Sequence, residues 1–297
     1  MKGTTSLATV TLPRGRVLEI ATAGPERAMP LVFHGGTPSA ATLFPEMVGA
    51  ALTRGLRVVT YSRPGYAGST PLHGRSVADA AADVTAVLDA LGAGACVTLG
   101  WSGGGPHALA CAALMPGRCR AAVSLAGVAP YSAEGLDWLA GMAAENIEEF
   151  EVALSGETAL TRWLETAARA MSAVTGEDVA AALGGLVSEV DRRALSGDFA
   201  ERQAESIRRA VSQGIAGWRD DDIAFVRDWG FELGAIRVPV AVWQGDQDRM
   251  VPFDHGRWLA QHVPGARARL RSGEGHLSLG VAAVDQIVGD LAELAAL

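Results

Sequence analysis

The chain is poor in cysteine and short of positive charge. Its three cysteines, Cys96, Cys111 and Cys119, show no zinc-site spacing. Cys96 and Cys111 sit in apolar runs, where a free thiol packs as a small core residue. All three are therefore read as structural thiols of a reducing compartment. The formal net charge of −8 argues against nucleic acid or an anionic membrane as the main partner. No run approaches the roughly 20 apolar residues of a membrane span. No apolar segment with a basic flank opens the chain, so no signal peptide is expected and the expected location is cytoplasmic. There is no H-x-x-x-H or H-E-x-x-H pair, which argues against a zinc enzyme, and no internal repeat or long low-complexity linker. What is present is 297 residues, 49% hydrophobic and 20% charged. That suffices for one large α/β domain, with or without an inserted lid.

Strand-like and helix-like runs alternate along most of the chain. Leu7 to Ala21 reads as a hairpin turning at Pro13-Arg14-Gly15. Leu31-Val32-Phe33 is a short buried strand, and Thr37 to Arg54 reads as mostly helical after Pro38. The strand Arg57–Tyr61 runs into the turn-rich loop Ser62–Ser69. Ser76 to Leu91 has helical spacing, with Ser76 as N-cap. Two strands (Ala95–Leu99 and Ala121–Leu125) flank an apolar helix from Pro106. From about Tyr131 to Leu233 strand-like runs vanish and the segment becomes helix-forming and charge-rich. Alternation then resumes with a strand over Val238–Trp243, a helix over Asp254–Val263, a strand over Ala266–Leu270 and a helix over Leu279–Leu297. The pattern predicts an α/β fold, a doubly wound mostly parallel sheet. The expected division is a core of 1–130 and 234–297, with 131–233 a helical cap over the carboxyl ends of the strands, where open α/β sheets bind ligands.

Between strand and helix lies Gly100-Trp101-Ser102-Gly103-Gly104. Strand, G-x-S-x-G, helix is the context of a nucleophile elbow, in which a strained turn lifts a serine hydroxyl to a helix N-terminus. A serine nucleophile needs a base, and the base needs an orienting carboxylate. Asp248 in Gly245-Asp246-Gln247-Asp248 is the first candidate for the carboxylate. Asp246 competes, although it is placed to hydrogen-bond its own turn, and Asp254 reads as an N-cap. His276, in Gly273-Glu274-Gly275-His276 directly after a strand, is the base candidate. The oxyanion hole requires two N–H groups. Gly103 supplies one; Thr37, held extended before Pro38, is the first choice for the other and Gly36 the second. His34, Trp101 and His107 are pocket candidates.

Together these segments resemble the α/β-hydrolase superfamily, in the style of its capped esterase, proline-iminopeptidase and haloperoxidase-like branch. The resemblance rests on His34–Pro38, Arg63–Ser69, Gly100–Gly104, Gly245–Asp248 with Val251-Pro252, and Gly275-His276, in family order. It implies an α/β-hydrolase fold and assigns the acid of a G-x-x-D-x-x-x-P pattern to Asp248. Two departures stand out: Ser62 where the loop usually opens with Asp, and Ala67 where glycine is common. The glycines at 100–105 do not have dinucleotide-loop spacing, no Walker lysine follows them, and Ser102 stands where haloalkane and epoxide hydrolases of the fold carry aspartate.

The expected function is cleavage of a small-molecule ester through a serine acyl-enzyme, without a cofactor. An aminopeptidase of proline-iminopeptidase type is one alternative, with Glu145, Glu148 or Glu149 binding a free amino group; cleavage of a carbon–carbon bond and a non-turnover receptor are others. The acidic runs of 131–233 are read as solvated helix faces. Six of its aromatics (Trp138, Phe150, Trp163, Trp218, Phe225, Trp229) are read as mainly cap core, with one or two in the pocket. The sequence gives no oligomeric signal.

Overall fold

The computed structural model describes residues 5–296. Eight strands form one sheet: β1 (Thr5–Thr11), β2 (Val17–Ala23), β3 (Met29–His34), β4 (Leu56–Tyr61), β5 (Cys96–Trp101), β6 (Cys119–Leu125), β7 (Val240–Gly245) and β8 (Arg267–Arg271). Their order is β1-β2-β4-β3-β5-β6-β7-β8, antiparallel at β1–β2 and β2–β4 and parallel elsewhere. The helices are α1 (Pro45–Leu52), α2 (Asp79–Ala90), α3 (Gly104–Leu114), α4 (Ala144–Leu154), α5 (Glu157–Met171), α6 (Val179–Ala182), α7 (Glu189–Ala194), α8 (Gly197–Ala210), α9 (Ala216–Phe225), α10 (Phe253–His262), α11 (His276–Ala282) and α12 (Val284–Leu294). Among the described residues α4–α9 are the helices between β6 and β7, and no strand interrupts them.

The two-residue side-chain period of a strand explains the layering. Val32, Val240 and Val242 face one core with Val84 and Leu88 of α2, Leu109 of α3 and Leu259 of α10. Leu31, Phe33, Val97, Leu99 and Trp243 face the other, with Met47 of α1 and Ile287 and Leu291 of α12. A third cluster joins Leu160 and Leu164 of α5 to Trp218 and Ile223 of α9, and reaches Ala40 and Tyr66 of the sheet-side loops.

Parallel register aligns the strand ends. His34 of β3 pairs with Gly100 of β5, and Trp101 with Leu125 of β6, which pairs with Trp243 of β7. The loops that follow therefore leave from one edge. The chain turns one way from β3 to β4 and the other way to β5, so this edge is also the topological switch point.

Three element boundaries differ from those expected. The stretch after Pro38 is irregular until Pro45, because distant groups take its backbone: Ala40 N donates to Ser206 Oγ (3.2 Å), Ala41 N to Ser62 Oγ (2.9 Å), and Ala41 O accepts from Arg209 (2.6 Å). The second helix begins at Asp79, with Ala78 as its N-cap; the Asp79 carboxylate instead takes Ser76 N at 2.7 Å. The last helix is two helices, and the first starts at His276 itself.

Candidate active site

Ser102 follows β5 directly, with φ of 57°, in the left-handed region that L-residues avoid. The turn is possible because its neighbours lack side chains. A Cβ at Gly100 would strike the Gly104 carbonyl, and one at Gly104 the His34 carbonyl. Gly105 N donates to Ser102 O at 2.8 Å, which starts α3 immediately behind the serine. Ten of the eleven α3 residues are buried, so the helix is fixed on all sides.

Asp248 leaves the loop after β7, buried and fully bonded. Its Oδ2 accepts from His276 Nδ1 at 2.8 Å and from Gln244 Nε2 at 2.9 Å, and its Oδ1 from Met250 N (2.9 Å) and Val251 N (2.8 Å). Asp246 is used elsewhere, accepting from Ser272 Oγ and Gly273 N at 2.8 Å each. Asp254 lies within α10 and pairs with Arg257. His276 is 2% exposed. Burial alone would lower its pKa; the Asp248 carboxylate first, then that of Asp191, outweighs burial and holds the imidazole above its ordinary 6.5. Trp101 backs it, with the indole N–H donating to His276 O at 3.2 Å.

Ser102 and His276 line one cavity of about 150 Å³, comparable with a space that takes a benzene ring. No Ser102–His276 hydrogen bond within 3.5 Å occurs among the described residues; such bonds commonly tighten only when substrate is present. Gly36, Thr37 and Trp101 line the cavity, while the pocket candidates His34 and His107 are not among its lining residues. His34 bonds Thr98 Oγ1 (2.8 Å) and the Tyr61 hydroxyl (3.2 Å). His107 is held neutral, its pKa pushed down to about 3 by burial and by Arg63, and its Nδ1 donates to Gly103 O at 2.8 Å. Gly103 and Thr37 touch, since a Cβ at Gly103 would meet Thr37 Oγ1. The cavity walls are mostly apolar: Phe33, Phe44 and Leu277 from the sheet side, Met171, Leu183, Ile207 and Trp218 from the β6–β7 helices. Of the aromatics of that segment, Trp218 alone is among the lining residues. Trp138 packs on Phe150 and His255, and Phe225 on His107.

Beside this cavity lies a buried charge network that no local sequence pattern marks. Asp220-Asp221-Asp222 was expected on a solvated face, yet the three are 3%, 0% and 1% exposed. Consecutive positions on an α-helix point about 100° apart, so three acids in a row cannot share one outer face. Asp221 Oδ2 accepts from Arg63 (2.6 Å), the Tyr66 hydroxyl (2.8 Å) and Thr37 Oγ1 (2.9 Å), and Oδ1 pairs with Arg75 (2.6 Å). Burial pushes the Asp221 pKa up, but the two guanidinium groups hold it far below the usual carboxylate range. Arg63 also donates to Gly35 O (2.5 Å) and Gly36 O (2.6 Å). A carboxylate from the β6–β7 segment thus fixes the 35–37 loop through Arg63.

The two departures from the family pattern are explained nearby. Ser62 donates to Glu19 Oε1 at 2.8 Å, so Glu19 of β2 supplies a carboxylate where the loop usually carries its own. Ala67 adopts φ of 44°, the conformation for which glycine is common. Among the described residues no three His, Cys, Asp or Glu side chains gather as a metal-ligand set, and no helix is long and apolar enough to cross a membrane.

A family model described as alpha/beta hydrolase fold matches residues 29–283. The chain belongs to the α/β-hydrolase fold family. The non-heme chloroperoxidase of Streptomyces lividans is 29% identical over 273 residues, 91% of this chain and 92% of that protein. The solved structure of an alpha/beta hydrolase fold protein from Nakamurella multipartita is 26% identical and superposes with a TM-score of 0.64, over 97% of this chain and 98% of the other. An esterase from Exiguobacterium antarcticum superposes with a TM-score of 0.70 over 98% and 99% of the two chains. At 18% identity that likeness speaks for the shared fold. The family places this chain among hydrolase-type enzymes.

Proposed function

We propose that this α/β-hydrolase is a serine esterase acting on a small, largely apolar ester. The observation that carries the proposal is that Ser102, on a strained elbow, shares its cavity with a His276 whose Nδ1 is held by the buried Asp248. Ser102 Oγ attacks the ester carbonyl while His276 Nε2 takes its proton. The carbonyl oxygen gains charge against the N–H groups of Gly103 and Thr37, with Gly36 the alternative donor. His276 then protonates the leaving alcohol. The same imidazole then deprotonates a water, which attacks the acyl-enzyme, and the imidazolium returns that proton to Ser102 Oγ as the carboxylic acid leaves. Asp248 keeps the proton on Nδ1 and stabilises the imidazolium. No cofactor enters these steps. Residues 131–233 act as a cap whose apolar side chains select the acyl group, and a cavity near 150 Å³ fits a short acyl chain or one aromatic ring.

One observation favours an aminopeptidase as second reading. Glu145 accepts from Gly185 N and Glu148 from Trp163 Nε1, while Glu149 accepts from Trp218 Nε1 at 2.6 Å and also lines the cavity. Burial pushes Glu149 up to about 7, and it is hydrogen-bonded to Asp222, whose own pKa burial and Glu149 raise. Two buried carboxyls in contact resist ionising together. A carboxylate at the cavity wall is a charge that an ammonium group would seek.

Acyl nitrophenyl esters of increasing chain length, assayed beside aminoacyl arylamides, separate the readings. The proposal expects kcat/KM to be highest for short acyl or aryl esters and to fall once the acyl group outgrows the cavity. Faster turnover of the arylamides would transfer the assignment to an aminopeptidase. Stoichiometric release without turnover would make the chain a receptor.

A further inference from the structure

We propose that Asp191 of α7 is a positioning residue for the catalytic histidine, reaching from the segment between β6 and β7 to hold the first turn of the helix that begins at His276. This rests on the triad reading above and adds to it a residue 85 positions away in sequence.

The first turn of any helix carries N–H groups with no partner inside the helix. In α11 the N-cap is Gly275, which has no side chain to offer them. Asp191 does so instead. Its Oδ2 accepts from His276 N at 3.1 Å, and its Oδ1 from Leu277 N at 2.7 Å and Ser278 N at 2.9 Å. The carboxylate is fully buried, and it is itself held by Ser188, whose Oγ donates to Oδ2 at 2.8 Å. The approach is close enough that a Cβ at Gly275 would lie 2.5 Å from both Asp191 oxygens. Gly275 has an ordinary extended φ of −100°, so glycine serves there to admit the carboxylate.

Three consequences follow for His276. Its Cα is fixed by a bond to its own backbone N–H, while Asp248 fixes its ring. Its imidazole sits near a second negative charge, one of the influences that raise its pKa. And α7 cannot lift away without releasing the histidine, so substrate must enter by another part of the cavity rim. The charged or titratable groups around His276 are Asp248 from the β7 loop, Asp191 from α7, Glu274 in its own loop, which accepts from Ser278 Oγ, and Glu149 across the cavity.

The sign of the pH effect is fixed. His276 works as a base only when neutral, so activity falls as pH drops through a pKa that lies above 6.5 in the wild type. The variant D191N removes the charge and turns an acceptor toward His276 N into a donor, yet keeps one oxygen for Leu277 and Ser278. It should shift the acid limb to lower pH.

The experiment uses the full chain with D191N, D191A and G275A. Fluorophosphonate titration counts competent sites, an ester assay gives kcat per site and KM, and NMR follows the His276 imidazole. We expect D191N to lower kcat per titrated site roughly tenfold to 10²-fold with KM changed by no more than about twofold. The His276 pKa should fall, and D191A and G275A should lose more kcat. If instead the variants lose only titratable sites or thermal midpoint, while kcat per site and the His276 pKa stay at wild-type values, Asp191 merely docks the helices and the proposal is overturned. A wild type that neither turns over esters nor takes the probe would sink the esterase reading, whereas the NMR arm would still decide whether Asp191 governs His276.

Discussion

Replacing Ser102 with alanine should lower kcat for the best ester by a factor on the order of 10³ to 10⁶, or about 4–8 kcal/mol of barrier. Residual activity would come from the oxyanion donors and from binding, which the substitution leaves in place. KM should change little, because one hydroxyl contributes little to the apolar walls around it. Fold stability should be nearly unchanged, since alanine meets at this position the same left-handed strain that serine already bears. A folded variant that keeps the wild-type rate would remove Ser102 from the chemistry altogether.

The largest stability effect is expected at Asp221. The variant D221A leaves the guanidinium groups of Arg63 and Arg75, both buried, without their counter-charge. Breaking a buried pair from one side costs about 3–5 kcal/mol. The Asp221 carboxyl is held far below its ordinary range. Its contribution is therefore present above the unfolded carboxylate pKa and is lost only as pH falls through the depressed folded value. The D221A deficit, read from urea midpoints, should then be flat across neutral and mildly acidic pH. Activity should fall as well, because Arg63 is the donor to Gly35 O and Gly36 O. Replacing Arg63, Arg75 and Asp221 together with apolar residues of similar volume should recover much of the stability, as the cost comes from orphaned charge. A loss below about 1 kcal/mol in D221A would mean that the network is not a desolvated ion cluster.

Both expectations concern residues of one site, yet only Ser102 was legible in the chain. The elbow is a local object: strand, glycines, serine and helix follow one another within the nineteen residues Cys96–Leu114, and although the Gly104 position is crowded by the distant His34 carbonyl, the one at Gly100 is crowded by Gly104 just ahead in sequence. Asp248 and His276 could also be read, because each follows a strand whose end the parallel register brings to the same edge. Asp221 and Asp191 obey no local pattern. Asp221 meets Arg63 across 158 residues and Asp191 meets His276 across 85, and in each case the partner is created only by packing the β6–β7 helices on the loops. The start of α11 was misplaced for the same reason: its first N–H groups are satisfied by that distant carboxylate. The irregular stretch from Ser39 to Phe44, expected to be helical, likewise gives its backbone groups to Ser62, Ser206 and Arg209. One signal was available. The run Asp220-Asp221-Asp222 is flanked by Trp218, Ile223 and Phe225, a setting in which at least one acid has to turn inward.

The central claim is that Ser102 is a nucleophile activated by His276, and covalent labelling tests it most directly. Incubation of the full chain with a fluorophosphonate, followed by intact-mass and peptide mapping, should give a single adduct on Ser102. The labelling rate should rise with pH through the raised pKa of His276 and collapse in the variant H276A. An unlabelled Ser102 at high probe concentration, or labelling that is indifferent to His276, would contradict it.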